Sequence, residues 1–398
     1  MNNQIEKLHR ISQKHTRRII GLMSGTSLDG LDIALCSLTN SGTSTQLVLE
    51  RFTTMDYSDN FRKSIRKIFA KRQIDQQELC GLNVQIGMVH ARLINDALQK
   101  WGVPAEQIDL IASHGQTVYH APQILTNNRS LPNSTLQIGD ADHIAVGTGI
   151  ITIADFRQKH VAAGGEGAPL AAYGDYLLFT HVSEHRILLN IGGISNFTFL
   201  PNSSCSLQAF ATDLGPGNTI MNQYVNQFYG IEIDEDAAIA SKGKIHHQLL
   251  AALLNDPFLQ MDFPKTTGPE LFNLAYLQEK QKQTATLALA KEDVMATLNA
   301  FSAKAIVLGI QSVTAKLENV GVYVSGGGLH NPLLMHNIQQ GLPQMSVSSI
   351  DAIAMNPDAK EACLFAILAN ETIAGSPENV RNIKDSPAIC MGKISFPY

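Results

Sequence analysis

The chain has 398 residues, more than one hydrophobic core usually supports, so two domains are expected. Apolar residues make up 44% and charged residues 16%, a globular balance that argues against disorder. A formal net charge of −5 gives no reason to expect nucleic acid or an anionic membrane as partner, and no apolar run approaches the roughly 20 residues of a spanning helix.

In chain order, residues 1–17 come first. They are basic and polar with no apolar stretch behind the charges, which excludes a secretory signal and reads as a short solvated tail; an organelle-targeting segment is the less favoured alternative. Arg18 to Leu38 follows, two β-rich runs joined by a turn of Gly, Ser, Thr and Asp, which predicts a hairpin. Ile108 to Ser113 predicts a short buried strand. Arg186 to Leu200 repeats the hairpin design with a Gly-Gly turn, about 170 residues after the first, and suggests two lobes on related plans. Val294 to Ile310 has a helical pattern, and Gly321 to Ser325 reads as another strand. A last helix starts near Asp358 and stops at Gly375, a candidate C′ glycine. Strands alternating with helices imply mixed α/β lobes: lobe I over 18–150, rejoined by the helix 358–375, lobe II over 151–357, and a tail over 376–398. The five cysteines are scattered and never spaced as CxxC, which fits a reducing cytoplasm and excludes a disulfide scaffold or a cysteine zinc site.

Three glycine clusters carry the chemistry. In GLMSGTSLDGLD, from Gly21, small residues bring backbone N–H groups and the hydroxyls of Ser24, Thr26 and Ser27 together, which suits phosphate oxygens. Asp29 is placed to hold Mg²⁺ through water. Taken alone, the same residues fit an ordinary hairpin turn equally well. The absence of GxxxxGK[ST] disfavours a P-loop enzyme. NIGGISN, from Asn190, offers the same chemistry again, and Gly326, Gly327 and Gly328 follow a strand and precede a helix start, where backbone approaches a flat ring or a phosphate closely. His114, His120, His143 and His160 lack the i, i+4 spacing of a helical zinc pair, so no transition metal is assigned and solvated or hydrogen-bonded histidines are expected.

The pattern resembles the actin/hexokinase/Hsp70-like kinases, and within them the anhydro-N-acetylmuramic acid kinase family. The matching segments run nearly the whole length: GLMSGTSLDGLD, SHGQT from Ser113, ADFRQKHVAAGGEGAPL from Ala154, LNIGGISN from Leu189, DLGPGN from Asp213, PKTTG from Pro264 and SGGGLHN from Ser325. The resemblance implies a two-lobed actin-like/ribonuclease H-like fold with an interlobe cleft, use of ATP and Mg²⁺, a small sugar as substrate, and a homodimer that recycles wall fragments in a bacterial cytoplasm. It places ATP at Gly25, Thr26, Ser27, Leu28, Asp29, Gly30, Asp32, Gly192, Gly193, Gly326, Gly327 and Gly328. The sugar falls to Gln116, Arg157, Asn196 and Glu361, and the water-activating base is Asp213.

Each residue also has a plain structural alternative. Asp213 fits an aspartate bonded to its own glycine-rich turn, before a helix that Asn218 is suited to cap. Arg157 fits a salt bridge to Asp155, and Glu361, three residues after Asp358, fits a capping box. Two positions depart from the family pattern: Pro269 stands where arginine is expected after PKTTG, and Glu166 where glutamine is more usual. A same-fold kinase for another sugar, and a non-catalytic sugar sensor, are the competing functions.

Overall fold

A computed structural model describes residues 2–25, 28–126, 128, 130–353, 356 and 358–398. The chain divides into two compact units, Met1–Leu178 with Asp358–Tyr398, and Phe179–Pro357. The strands of the first unit are β1 (Thr16–Ser24), β2 (Gly30–Thr39), β3 (Gln46–Asp56), β4 (Leu110–Ala121), β5 (Ser134–Ile138) and β6 (Thr152–Ala154). The second unit holds β7 (His185–Ile191), β8 (Ile194–Leu200), β9 (Phe210–Pro216), β10 (Val320–Ser325) and β11 (Ser346–Ser349); β12 (Lys393–Ser395) returns to the first.

The first sheet runs β12-β6-β4-β1-β2-β3, with β5 paired to β4. β1, β2 and β3 form an antiparallel meander, while β4 and β6 join in parallel. The second sheet runs β11-β10-β7-β8-β9 with the same pattern of directions. Meander plus parallel crossover, in the order third-second-first-fourth-fifth, therefore occurs twice. That repeated plan matches the related lobes expected from the two hairpins, and it is the ribonuclease H-like arrangement that the resemblance implies.

In the first unit Ile20, Leu22, Ile33 and Leu35 join Ile86, Ile94 and Ile111 in one buried cluster. Most of its helical side comes from Gln76–Trp101, which Asp75 caps through the amides of Gln77 and Glu78 and which Gly102 ends at φ +65°. The helix Lys360–Ala374 packs on β1 so closely that a Cβ on Gly21 would lie 1.9 Å from the Ala362 carbonyl oxygen. Only glycine fits there. The second unit is built around the helix Lys291–Thr314, which is long and apolar enough by composition to cross a membrane. Most of its apolar window is buried, with Leu298 and Phe301 in one cluster and Ile306 and Ile310 in another.

Several expectations need correction. Residues 1–17 are not a simple tail: Asn3–Ser12 is a helix capped by Asn2, with Ile11 buried. The division between units falls after Leu178 rather than after residue 150, because β6 pairs with β4 in the first sheet. Residues 376–398 are not a free tail either, since β12 pairs antiparallel with β6. The last helix begins at Lys360 with Ala359 as N-cap and no side-chain cap bond, so Asp358 and Glu361 form no capping box. Gly375 ends that helix in an extended conformation (φ −97°, ψ −167°), not the left-handed one of a C′ glycine.

Candidate active site

In the first unit the turn between β1 and β2 is held from both ends. Gln116, fully buried on β4, accepts from Ser24 Oγ at 2.6 Å and donates from Nε2 to the carbonyls of Gly25 and Thr117, each at 3.3 Å. Tyr57 sends its amide to the Asp29 carbonyl at 3.0 Å, and its hydroxyl lies 2.8 Å from both Ser24 Oγ and His90 Nε2. The amide of Gln116, expected on the sugar, is thus engaged in fixing the turn. Leu28 is buried with φ +63°, and Asp29 is exposed, its carboxylate without a hydrogen bond or ion pair to another described residue. Thr26 and Ser27 lie outside the described residues. Gly30 opens β2 under the Met55 carbonyl, where a Cβ would stand at 2.6 Å.

Three carboxyl-bearing residues and one guanidinium interact near this turn. Asp32 accepts from Thr54 Oγ1 at 2.6 Å; burial raises its pKa, and Asp358 raises it further. Glu361 is reached by solvent at the first turn of Lys360–Ala374, yet the surrounding protein raises its pKa, with Arg157 opposing and Asp32 adding to the rise. Arg157 does not pair with Asp155, whose Oδ2 holds Lys393 Nζ at 2.9 Å. Its Nε donates to His114 Nε2 at 2.9 Å and its Nη1 to the Gly167 carbonyl at 2.7 Å. Glu166 beside that carbonyl is exposed.

In the second unit one register position carries a polar row across four strands. Ser325 on β10 pairs with Asn190 on β7, Asn190 with Asn196 on β8, and Asn196 with Asp213 on β9. Directly paired residues share a face of the sheet. A register shift beside Asn196 brings Asp213 to this position.

Asp213 does not bind its own turn. Its Oδ2 accepts from the Thr267 amide of PKTTG at 2.9 Å, and its own amide donates to the Lys265 carbonyl at 2.9 Å. Oδ1 has no partner among the described residues. Burial raises the carboxyl's pKa, the Thr267 amide lowers it and Glu270 raises it again. PKTTG is itself anchored: Thr212 Oγ1 bonds the Lys265 amide at 2.9 Å, and buried Lys265 Nζ donates to the carbonyls of Phe258 and Leu259 at 2.8 and 3.1 Å. Pro269, just beyond, is exposed.

The NIGGISN turn docks on the start of the helix Thr219–Tyr229. Gly217 and Thr219 send amides to the Gly193 carbonyl, and Asn218 sends its amide to Gly192. Asn218 stands at the N-cap, but its side chain makes no cap bond; Nδ2 donates to Ile191 O at 3.4 Å instead. The amides of Gly192 and Gly193 donate to no described residue. Gly326, at φ +85°, and Gly327 are exposed, and a Cβ on Gly327 would meet nothing nearer than 3.9 Å, while Gly328 packs on Ile191. Free amides at one turn and open backbone at the next suit a nucleotide's phosphates and ring.

Sequence reasoning missed the supporting roles of Tyr57, His90, Asn190 and Thr267, and it expected His114 only as a solvated or hydrogen-bonded histidine, not as the partner of Arg157. His114, Asn190 and Thr267 sit inside matched segments, so the signal was present; Tyr57 and His90 carry none, because only tertiary packing brings Tyr57 to Ser24 and His90 to Tyr57.

A profile of the anhydro-N-acetylmuramic acid kinase family matches residues 17–395. A protein of that name from Pseudoalteromonas atlantica is 54% identical over the full length of both chains. Another from Caldanaerobacter subterraneus subsp. tengcongensis is 39% identical over 98% of this chain and 100% of its own. One from Bacillus cereus is 34% identical over 95% and 99%. The chain belongs to the anhydro-N-acetylmuramic acid kinase family.

Proposed function

We propose that this chain opens the 1,6-anhydro ring of anhydro-N-acetylmuramic acid with water and transfers the ATP γ-phosphoryl group to O6, giving N-acetylmuramic acid 6-phosphate and ADP. Family membership supports the reaction, and one observation carries the mechanism. Asp213 is half-fixed by the Thr267 amide and keeps its other oxygen unpartnered among the described residues. A carboxylate so held, with its basicity raised by burial, suits a general base for water.

In the anhydro sugar O6 is bonded to C1 and is no nucleophile. Water attacks C1 and gives its proton to Asp213; the C1–O6 bond breaks with its electron pair on O6. O6 then bonds to the γ-phosphorus as the bond to the β-phosphate oxygen breaks and ADP leaves. The unengaged amides of Gly192 and Gly193 are suited to phosphate oxygens, and the exposed backbone at Gly326 and Gly327, open around Gly327, to adenosine. Asn196, beside Asp213, and Arg157 with Glu361 are assigned to the sugar, Arg157 to its lactyl carboxylate. The carboxylate of Asp29, exposed and uncommitted, is a hard-oxygen donor that fits Mg²⁺ held through water. When bound, that ion neutralises phosphate charge. A homodimer acting in cell-wall recycling in the cytoplasm completes the reading.

ADP release should depend on the anhydro sugar. In ¹⁸O-labelled water, label should enter C1 of the new sugar, examined before anomeric exchange, and not the transferred phosphoryl group. A strong preference for the already opened sugar, or label in the phosphate, would overturn the assignment.

A further inference from the structure

Among the histidines left without a role, His114 has surroundings that give it one. It is 5% exposed on β4, and its ring lies 4.8 Å from that of Phe365 on the helix Lys360–Ala374. Nδ1 is 2.9 Å from the Gly115 carbonyl. A carbonyl only accepts, so Nδ1 carries the proton and Nε2 keeps its lone pair. That lone pair takes the Arg157 Nε–H at 2.9 Å, while Nη1 donates to the Gly167 carbonyl. The guanidinium is therefore fixed by two acceptors, and neither is charged. Nη2 has no partner among the described residues. The nearby carboxylates leave it un-neutralised: Asp155 holds Lys393, and Glu361 attracts Arg157 without forming an ion pair.

A carboxylate in place of His114 would hold Arg157 as firmly but cancel its charge. A neutral acceptor holds it and leaves the charge for a ligand. We infer that His114 is a positioning residue, which aims Arg157 at a ligand carboxylate and so selects an acidic anhydro sugar over a neutral one. Burial, reinforced by the charge of Arg157, lowers its pKa to about 3, so it stays a neutral acceptor through the working range. The inference deepens the proposed function and rests on its assignment of Arg157.

The test compares the full chain carrying His114→Phe, His114→Gln or Arg157→Lys on two sugars, anhydro-N-acetylmuramic acid and anhydro-N-acetylglucosamine, which lacks the lactyl carboxylate. His114→Phe should raise KM for the acidic sugar about tenfold or more, leaving kcat within about threefold and KM for the neutral sugar unchanged. His114→Gln, which keeps a neutral acceptor, should recover much of the preference. Equal KM increases for both sugars, or a preference intact in His114→Phe while Arg157→Lys abolishes it, would overturn the inference. A preference intact in Arg157→Lys would instead remove the reading of Arg157 beneath it. Should His114→Phe not fold, the wild-type chain labelled with ¹⁵N-histidine decides: His114 should show the Nδ1–H tautomer from about pH 5 to 8, and an Nε2–H tautomer would sink the proposal.

Discussion

The free oxygen of Asp213 sets the sharpest expectation at the scale of single residues. General-base assistance is typically worth about 10²–10⁴-fold, so Asp213→Asn should lower kcat by at least that while nucleotide binding and folding persist. Turnover within threefold of wild type would remove the base from Asp213. Its pKa is raised, chiefly by burial. The base works deprotonated, so kcat/KM should fall as pH drops through this raised value. The acid limb therefore lies above the ordinary aspartate range of about 3.9 and should vanish in the Asn variant's residual activity. Asp29→Asn makes a separate claim. With its carboxylate exposed and unengaged among the described residues, the change should raise the Mg²⁺ concentration needed for half-maximal rate several-fold without altering sugar affinity. A collapse of sugar affinity with normal metal dependence would reverse the map. Asp213 could be read from DLGPGN because the motif names the residue type. Its real partner, Thr267, lies 54 residues away, and spacing along the chain does not encode that contact.

Among the elements, the glycines divide into those that fill contacts and those that do not. A Cβ on Gly217 would stand 2.3 Å from the Gly192 carbonyl oxygen and 3.2 Å from that of Gly193, both backbone and both unable to step aside. Gly217→Ala should push the NIGGISN turn off the helix Thr219–Tyr229. Overpacking of this kind costs about 1–3 kcal/mol, and the ATP KM should rise with it. Gly81, exposed inside the helix Gln76–Trp101 with nothing within 4 Å, is the control: Gly81→Ala should stabilise by about 0.5–1 kcal/mol. An alanine tolerated at Gly217 without change in urea midpoint or ATP KM would refute the close docking. The two hairpins were legible because turn chemistry is local, and glycine, serine and aspartate at the tip announce it. β6 and β12 were not. Each has three residues, and each is a strand only because a distant partner supplies its hydrogen bonds. The same limit shifted the domain division by 28 residues, and it made Asp358 and Glu361 look like a capping box, although Ala359 is the N-cap.

At the scale of the whole molecule, the buried histidines should make the first unit sensitive to mild acid. Burial lowers the pKa of His90 and of His160 to about 4 and that of His114 to about 3, with the charge of Arg157 also acting on the last two. In the unfolded chain each titrates near 6.5. Between these values the unfolded state binds protons that the folded state refuses, so stability falls as pH drops through about 6.5 towards 4. Each group contributes up to about 1.4 kcal/mol per pH unit in that window. Asp32, Glu361 and Glu371 act in the opposite direction. Their raised pKa values mean that stability lost at neutral pH returns as they protonate, which blunts the slope nearer the carboxylate range. The histidine effect should therefore be clearest between about pH 6.5 and 5.5. The chain has a single tryptophan, Trp101, packed against the first unit's core, so its fluorescence reports on that unit alone. The Trp-monitored urea midpoint should drop steeply from pH 7.5 to 5.5, and His160→Gln should reduce the slope by about one proton. His160 is the position to change, because His90 supports Tyr57 and His114 holds Arg157, whereas His160 Nδ1 accepts only from the Gly167 amide at 2.9 Å, a bond that glutamine can keep. A midpoint that stays level or rises on acidification would mean that these rings protonate in place, and the neutral acceptor assigned to His114 would fall with them.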